Sequence, residues 1–410
     1  MNSAARDLAI QSKKQTAAPR EGNGQRQASI DAYRGVVMFL MLAEVLHLAK
    51  LASNYPENVF LQHLQFHTSH VEWIGCSLHD MIQPSFSFLV GVALPFSLAA
   101  RLDRDASTAS MILHALLRSI ILIAMGIALR SMNREITNFT FEDTLTQIGL
   151  GYFFLFCIAL TSNWQRVGWC ILILLGYWLW FALWSVPPGF DATKVGVPPD
   201  WPHWLSGFQA HWNKNANPAW AADVWFLNLF PRDQPFPYNG GGYCTLSFVP
   251  TLGTMILGLL AGEVLKRPMK PSAKLASFAV VGVGLTGIGW GLGAFELCPI
   301  VKRIWTPSFA LYSGGLCWLA LGTLFAICDW ARFRVCFWPF MVIGANSIAA
   351  YIMSWTLERP IQAFLERHLG RDFFMAAGES YHSLLLGIAT LLVMWLMLLW
   401  MFRKRIFIRI

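Results

Sequence analysis

About ten stretches of this 410-residue chain run for some twenty residues with almost no charge. A helix needs about twenty apolar residues to cross the ~30 Å hydrocarbon layer of a bilayer. Within that layer only a helix or a closed barrel satisfies its own backbone polar groups. The stretches lie near 33–52, 79–100, 111–130, 143–161, 167–186, 246–265, 274–294, 306–328, 336–357 and 382–402. Hydrophobic residues make up 55% of the chain and charged residues 13%, against about 25% charged in soluble domains, so too few charges remain to coat a surface facing water. The expected fold is therefore all-α: a polytopic transmembrane helical bundle of about ten spans, with the lipid bilayer as its main partner.

The net charge of +8 does not point to nucleic acid. Lys and Arg fall in short clusters between spans and in the two tails, and no basic stripe is interleaved with exposed aromatics. Cytoplasmic loops are enriched in Lys and Arg, which allows an orientation to be assigned. With the N-terminus inside, the inner segments carry Lys13, Lys14, Arg20 and Arg26, then Arg101 and Arg104, Arg166, the group Lys266, Arg267, Lys270 and Lys274, Arg332 and Arg334, and finally Arg403, Lys404, Arg405 and Arg409. The alternation holds at every inner loop, so an even number of spans with both termini cytoplasmic is expected. Residues 1–29 read as a disordered cytoplasmic tail without the apolar run of a signal peptide, 30–402 as the membrane domain, and 403–410 as a basic cytoplasmic tail. An integral, multi-pass protein of a bacterial inner (plasma) membrane is expected.

Two outside loops, about 53–78 and 187–245, are long. The second carries Trp201, Trp204, Trp212, Trp220 and Trp225, rings that suit either sugar stacking or the membrane interface. Of eight cysteines, Cys157, Cys170, Cys317, Cys328 and Cys336 read as small apolar residues in or beside spans. Cys76, Cys244 and Cys298 fall outside, where one disulfide can form.

Ionisable or amide side chains within spans are costly and mark candidate sites. Asp31 and Arg34, and again Glu44 and His47, sit at i,i+3 on the first span, a spacing that suits either an ion pair or a site. Arg118, in the third span, can snorkel or hold an anion. Asn346 is an amide inside the ninth span, and Lys302 opens the eighth from outside. The segment QHLQFHTSHVEWIGCSLHD at 62–80 concentrates histidines. His63 and His67 have the i,i+4 spacing of metal ligands, yet no second pair completes a tetrahedral site, and no metal is expected. His70 and Asp80 lead into a span, where a carboxylate fixing the imidazole tautomer allows proton transfer or acyl capture. The string Gly282-Val283-Gly284-Leu285-Thr286-Gly287 matches a dinucleotide fingerprint, but it lies inside an apolar span with no strand before it and reads as close helix packing.

Five blocks together resemble one family. SIDAYRGVVMFLM at 29–41 is similar to the opening signature of the heparan-α-glucosaminide N-acetyltransferase family and its bacterial relatives. HVEWIGCSLHDMIQPSFSFLVGVALPFSL at 70–98, LTQIGLGYFF at 145–154, LSFVPTLGTMILGLLAGE at 246–263 and the run from KRIWTPSFALYSGG to IGANSIAAY at 302–351 follow in the family's order. The resemblance implies a membrane acetyltransferase with acetyl-CoA as co-substrate and a catalytic His on the non-cytoplasmic side. His70 matches that His, Asp80 the acid after it, Asn346 a buried amide, and Asp31 with Arg34 the opening pair. Where the family has Arg after Gln this chain reads Thr146-Gln147, and Glu44 or Val45 stands where the family has Asn.

The expected activity is transfer of an acetyl group from cytoplasmic acyl-CoA to a hydroxyl or amine of an extracytoplasmic sugar or glycan. His70, Asp80 and Asn346 are the expected catalytic residues. Asp31, Arg34, Arg118, Gln147 and Lys302 are expected at the donor, and Glu44, His47 and Trp73 at the acceptor. The rival expectation is a transporter of a small polar solute or lipid-linked sugar, with Glu44, His47 and Arg118 along its path. Pairing as a homodimer is left open.

Overall fold

A computed structural model describes residues 27–102 and 107–408. The basic residues Lys13, Lys14, Arg20, Arg26, Arg104 and Arg409 lie outside the described residues, as does nearly all of the N-terminal tail. Among the described residues the chain is helical, and its extended pairing is limited to one antiparallel bridge between Ile74 and Val301. The principal helices are α1 (Ala28–Leu42), α2 (Ile82–Leu102), α3 (Thr108–Ser131), α4 (Thr144–Ala159), α5 (Asn163–Ala182), α6 (Phe248–Lys266), α7 (Pro271–Ala294), α8 (Pro307–Leu324), α9 (Trp338–Ala345), α10 (Ser347–Thr356) and α11 (His382–Arg403). Seven helices are long and apolar enough to cross a membrane, and α9 with α10 forms a further bent pair that passes the same test together. The protein is a polytopic helical membrane protein. The other two segments read as spans contain the shorter helices α1 and α4, of 15 and 16 residues.

Burial is graded across the bundle. The most apolar part of α6 is 72% buried, whereas that of α7 is 17% buried and presents Val280, Val283 and Trp290 outward. α6 takes the centre because its small residues admit other backbones. A Cβ on Gly258 would strike the Phe88 carbonyl, one on Gly262 the Val92 carbonyl, and one on Gly91 the Met255 carbonyl, so α2 and α6 cross backbone to backbone. Apolar lipid offers no hydrophobic gain for helix association, and close van der Waals packing of this kind takes its place. Indole donors of α8 and of the turn before it secure the other side of α6. Trp318 Nε1 donates to the Leu257 carbonyl at 3.2 Å and Trp305 Nε1 to Thr254 Oγ1 at 3.1 Å.

In the glycine-rich stretch of α7, Gly282 and Gly289 press on α8 through Leu319 and the Ser308 carbonyl, while a Cβ on Gly284 or Gly287 would meet nothing. The string is a helix contact on one face and open on the other.

Separate bonds knit the two ends of the bundle. At the end holding the start of α1, Asp329 caps that helix by accepting from the Ala28 and Ser29 amides at 3.0 and 3.1 Å. Arg166 pairs with Glu263 at 2.9 Å, and Lys266 reaches the Pro95 carbonyl at 3.3 Å. We call this the terminus end. At the opposite, loop end, the Trp-rich segment is ordered: Trp212 is fully buried beside Phe181 and Tyr177, and Asn215 binds the Val195 and Asn239 carbonyls. All eight cysteines are free, so Cys244 and Cys298 share this second core without the disulfide that the outside cysteines allowed.

Replacing Gly258 by Ala should lower stability by about 1–3 kcal/mol through overpacking against the α2 backbone. Gly284→Ala should be neutral, or stabilising by up to about 1 kcal/mol from helix propensity. Thermal unfolding of both variants in detergent checks this; equal midpoints would show that the α2–α6 crossing does not limit stability.

Candidate functional site

A turn built around one carboxylate positions the histidine. Asp80 is only 1% exposed, and its Oδ2 accepts the Val71 and Ser77 amides, each at 3.1 Å. Its Oδ1 faces His70 Nδ1 at 2.8 Å and Lys302 Nζ at 3.2 Å. Lys302 arrives by the Ile74–Val301 bridge, reinforced by the Gly75 amide donating to the Ile300 carbonyl at 2.9 Å, which sets the segment before α8 against the His70 turn. Arg303 ties the same turn to a glycine loop by donating to the Gly241 carbonyl at 2.6 Å and the Val71 carbonyl at 3.3 Å. Gly242 in that loop has φ +78°, and a Cβ there would enter the Trp73 ring, which is why a glycine run precedes Tyr243.

Lys302 Nζ also lies 3.0 Å from His70 Nδ1. One arrangement satisfies all three groups: Nδ1 carries its proton and donates to Asp80, and Lys302 donates to the same carboxylate. The lone pair of His70 is then on Nε2. Burial and the charges of Lys302 and Arg303 push the His70 pKa below the ordinary imidazole value, although Asp80 opposes them. Burial likewise pushes the Lys302 ammonium down, against the pull of Asp80. The His70 side chain is nevertheless 41% exposed, because it opens on a cavity.

That cavity, about 560 Å³, is lined at the loop end by Glu44, His70, His79, Arg130, Glu142 and Lys302, among others. Glu44 lies 3.5 Å from His79. Asn239 donates to Glu142 at 2.8 Å, and Arg130 pairs with Glu142 at 3.7 Å; burial pushes the Glu142 carboxyl above its usual range. A second cavity, about 510 Å³, opens at the terminus end and is lined by Asp31, Arg34, Arg118, Tyr152, Ser347 and Ile408, among others. Arg34 and Asp31 are 3.9 Å apart, and Arg118 donates to the Tyr152 hydroxyl at 3.1 Å while its buried Nε has no partner.

Thr144 and Tyr351 line both cavities. α2 and α3 likewise contribute to both: α2 gives Gln83 to one and Ser97 to the other, and α3 gives Arg130 to one and Arg118 to the other. The two spaces therefore stand end to end along the bundle, with Thr144 and Tyr351 as a shared wall.

The structure sets His70 against Asp80, places Glu44 in the cavity that His70 opens on, and groups Asp31, Arg34 and Arg118 around the other. Other residues fall elsewhere. Lys302 stands with His70 rather than with the donor group. Asn346, fully buried at the 71° break between α9 and α10, has its amide committed to the C-terminal segment: Nδ2 donates to the Ile406 carbonyl at 2.8 Å and Oδ1 accepts the Ile408 amide at 3.1 Å. It is thus at the terminus end, apart from His70. Gln147 is buried and donates to the Phe141 and Thr245 carbonyls at 2.6 and 3.0 Å, bracing α4 without lining either cavity. Trp73 is 1% exposed and donates to the Trp212 carbonyl, so it is a core residue of the outer loops. His47 sits just beyond the loop-end cavity, 3.2 Å from Glu358. Arg130, Glu142 and Asn239 were not singled out from the sequence; the charged residues at facing ends of the third and fourth spans were the available signal.

No protein-family profile matches the chain. Human heparan-alpha-glucosaminide N-acetyltransferase is 23% identical over 375 residues, covering 80% of this chain and 52% of that protein. The mouse protein of the same name is 22% identical over 387 residues, covering 83% of this chain and 55% of its own. The chain spans about half the length of these curated relatives. With its helical membrane bundle and the motif order given above, it is a distant relative of the heparan-α-glucosaminide N-acetyltransferases.

Proposed function

We propose that this protein is an acetyltransferase that moves an acetyl group along the bundle, from acetyl-CoA entering the terminus-end cavity to a sugar hydroxyl or amine in the loop-end cavity. The observation that carries the reading is the pair of cavities meeting at Thr144 and Tyr351 with His70 on one side of that wall. In this reading the terminus end faces the cytoplasm, in keeping with the basic loops, and the loop end faces out.

The terminus-end cavity suits a thioester arm. It is apolar along Leu89, Leu94 and Ile148, and Arg34 and Arg118 stand within it to meet phosphate or amide oxygens. The unpartnered Arg118 Nε is a buried donor whose desolvation a bound acceptor atom would offset. At the other side His70 Nε2 takes the proton of the acceptor as its oxygen or nitrogen attacks the thioester carbonyl. The C–S bond breaks, and the proton passes from His70 to the departing CoA sulfur. Asp80 holds the imidazole in the required tautomer throughout. Lys302 supplies positive charge to the same cavity, where a developing oxyanion needs it. Asn346 takes no part in this step; its role is to hold the C-terminal segment at the mouth of the donor cavity. The broken helix at Asn346 also favours the transporter reading. Thermal stabilisation by acetyl-CoA, absent with the free solute, separates the two.

With labelled acetyl-CoA and a panel of amino sugars and neutral sugars, His70→Ala should lose about 10²–10⁴-fold in turnover, the usual weight of a general base. Unchanged turnover in that variant, or none in the wild type on any acceptor, would sink the proposal. Transfer requires neutral His70, so the rate falls as pH drops through its pKa. The Lys302 charge lowers that pKa, and Lys302→Met should therefore shift the acid limb of the rate profile to higher pH. An unmoved limb would mean that His70 is not the titrating group.

A further inference from the structure

At the terminus end, a third cavity of about 730 Å³, which shares no lining residue with the donor cavity, lies between the start of α7 and the end of α8. Lys274, Arg332 and Arg334 line it with one carboxylate, Asp329, and with Phe325 and Trp330. We propose that it seats the phosphate headgroup of an anionic membrane lipid.

The charges do not balance from within. Both Asp329 oxygens already accept the amides that begin α1, and Arg334 Nη2 is 3.6 Å from Oδ1. Arg334 also donates through Nε to the Cys328 carbonyl at 2.9 Å, and Lys274 Nζ meets the Leu265 carbonyl at 2.5 Å, so these cations are held in place around the space. Three cations against one carboxylate leave about two positive charges; a phosphodiester neutralises one of them, and its oxygens accept charge-assisted hydrogen bonds from the rest.

The backbone supports a built feature. Arg332 has φ +58°, a left-handed conformation that costs a non-glycine residue about 1–2 kcal/mol. It follows the π-helical turn Phe325–Trp330, a form concentrated at functional sites.

Phosphate chemistry alone would admit a soluble anion, and the setting selects a lipid. The cavity lies where α6 ends, α7 begins and α8 closes, which is the level of the membrane boundary whichever way the protein faces. Trp330 is 50% exposed and Phe333 57% exposed beside it, as in the aromatic belt at a lipid headgroup layer. Outward from the cavity α7 presents Val280, Val281 and Val283, an apolar face along which acyl chains can lie. Basic pockets between spans are a recurrent seat for anionic headgroups.

The test uses the full chain purified in a non-ionic detergent. Phosphatidylglycerol, phosphatidylcholine or inorganic phosphate is titrated while the unfolding midpoint is followed, and retained lipid is counted by native mass spectrometry. Phosphatidylglycerol should raise the midpoint and stay bound, and the other two should not. Arg332→Gly removes the charge and relaxes the left-handed backbone, so it should fold at least as well while binding phosphatidylglycerol about fivefold more weakly, the weight of one basic residue at a lipid surface. Lys270→Gln, an exposed neighbour outside the cavity, should keep full affinity. Equal effects of the two lipids, equal weakening in the two variants, or unchanged affinity in Arg332→Gly would each overturn the proposal. Stabilisation by inorganic phosphate matching that by phosphatidylglycerol would identify a soluble anion instead.

Discussion

The functional end of this protein depends on the close crossing of α2 and α6. Because Gly91, Gly258 and Gly262 leave no Cβ where the backbones of the two helices approach, α2 is held close against α6. That helix follows directly on Asp80, lines the loop-end cavity with Ile82 and Gln83, and lines the terminus-end cavity from Phe86 to Ser97. The position of a carboxylate at one end and the shape of a cavity at the other are thus set by one glycine-mediated contact. In hydrocarbon no hydrophobic force between helices is available to do this, so the precision comes from dispersion between backbones that touch.

The same economy of groups governs the His70 cluster. Removing a carboxylate and an ammonium from water costs several kcal/mol each, and their attraction offsets that cost only when further hydrogen bonds complete the set. Asp80 meets the condition, since backbone amides occupy Oδ2 and Lys302 with His70 occupies Oδ1. An anion so fully bonded keeps the imidazole tautomer constant while its own charge stays put. Lys302 adds an opposing effect, since it favours the neutral ring, and a neutral ring is what proton abstraction requires. Orientation and basicity are set by two different neighbours of one histidine.

The helices and the His70–Asp80 pair were legible in the sequence for a physical reason: apolar length and a local turn are properties of contiguous residues. Long-range partners were not. Lys302 reaches the site over a sequence distance of 232 residues through a single bridge that no periodicity announces. Asn346 looked like a group lining a site because an amide in an apolar span needs partners, but those partners are the backbone of residues 406 and 408. Trp73 follows the same rule, its indole donor satisfied by the Trp212 carbonyl, whereas Gln147 donates to the Phe141 and Thr245 carbonyls and keeps a buried Oε1 without a partner. A polar group inside a span announces an obligation to bond, and sequence alone does not say whether a ligand or another part of the chain meets it.

A wall between the cavities also has a chemical logic. A continuous wet channel through the bundle would carry protons and would expose an activated acyl group to hydrolysis. Two cavities that meet at Thr144 and Tyr351 from opposite ends bring their contents close without either one running the length of the bundle. The break at Asn346 makes such a wall feasible. Beyond the 71° bend, α10 carries Tyr351, which lines both spaces. The freed backbone at the bend is not exposed to lipid, because Asn346 is fully buried against the C-terminal segment. In the transfer proposed above, the bend and its amide would thus support the wall through which the acyl group must reach His70, and they would do so from the far end of the molecule.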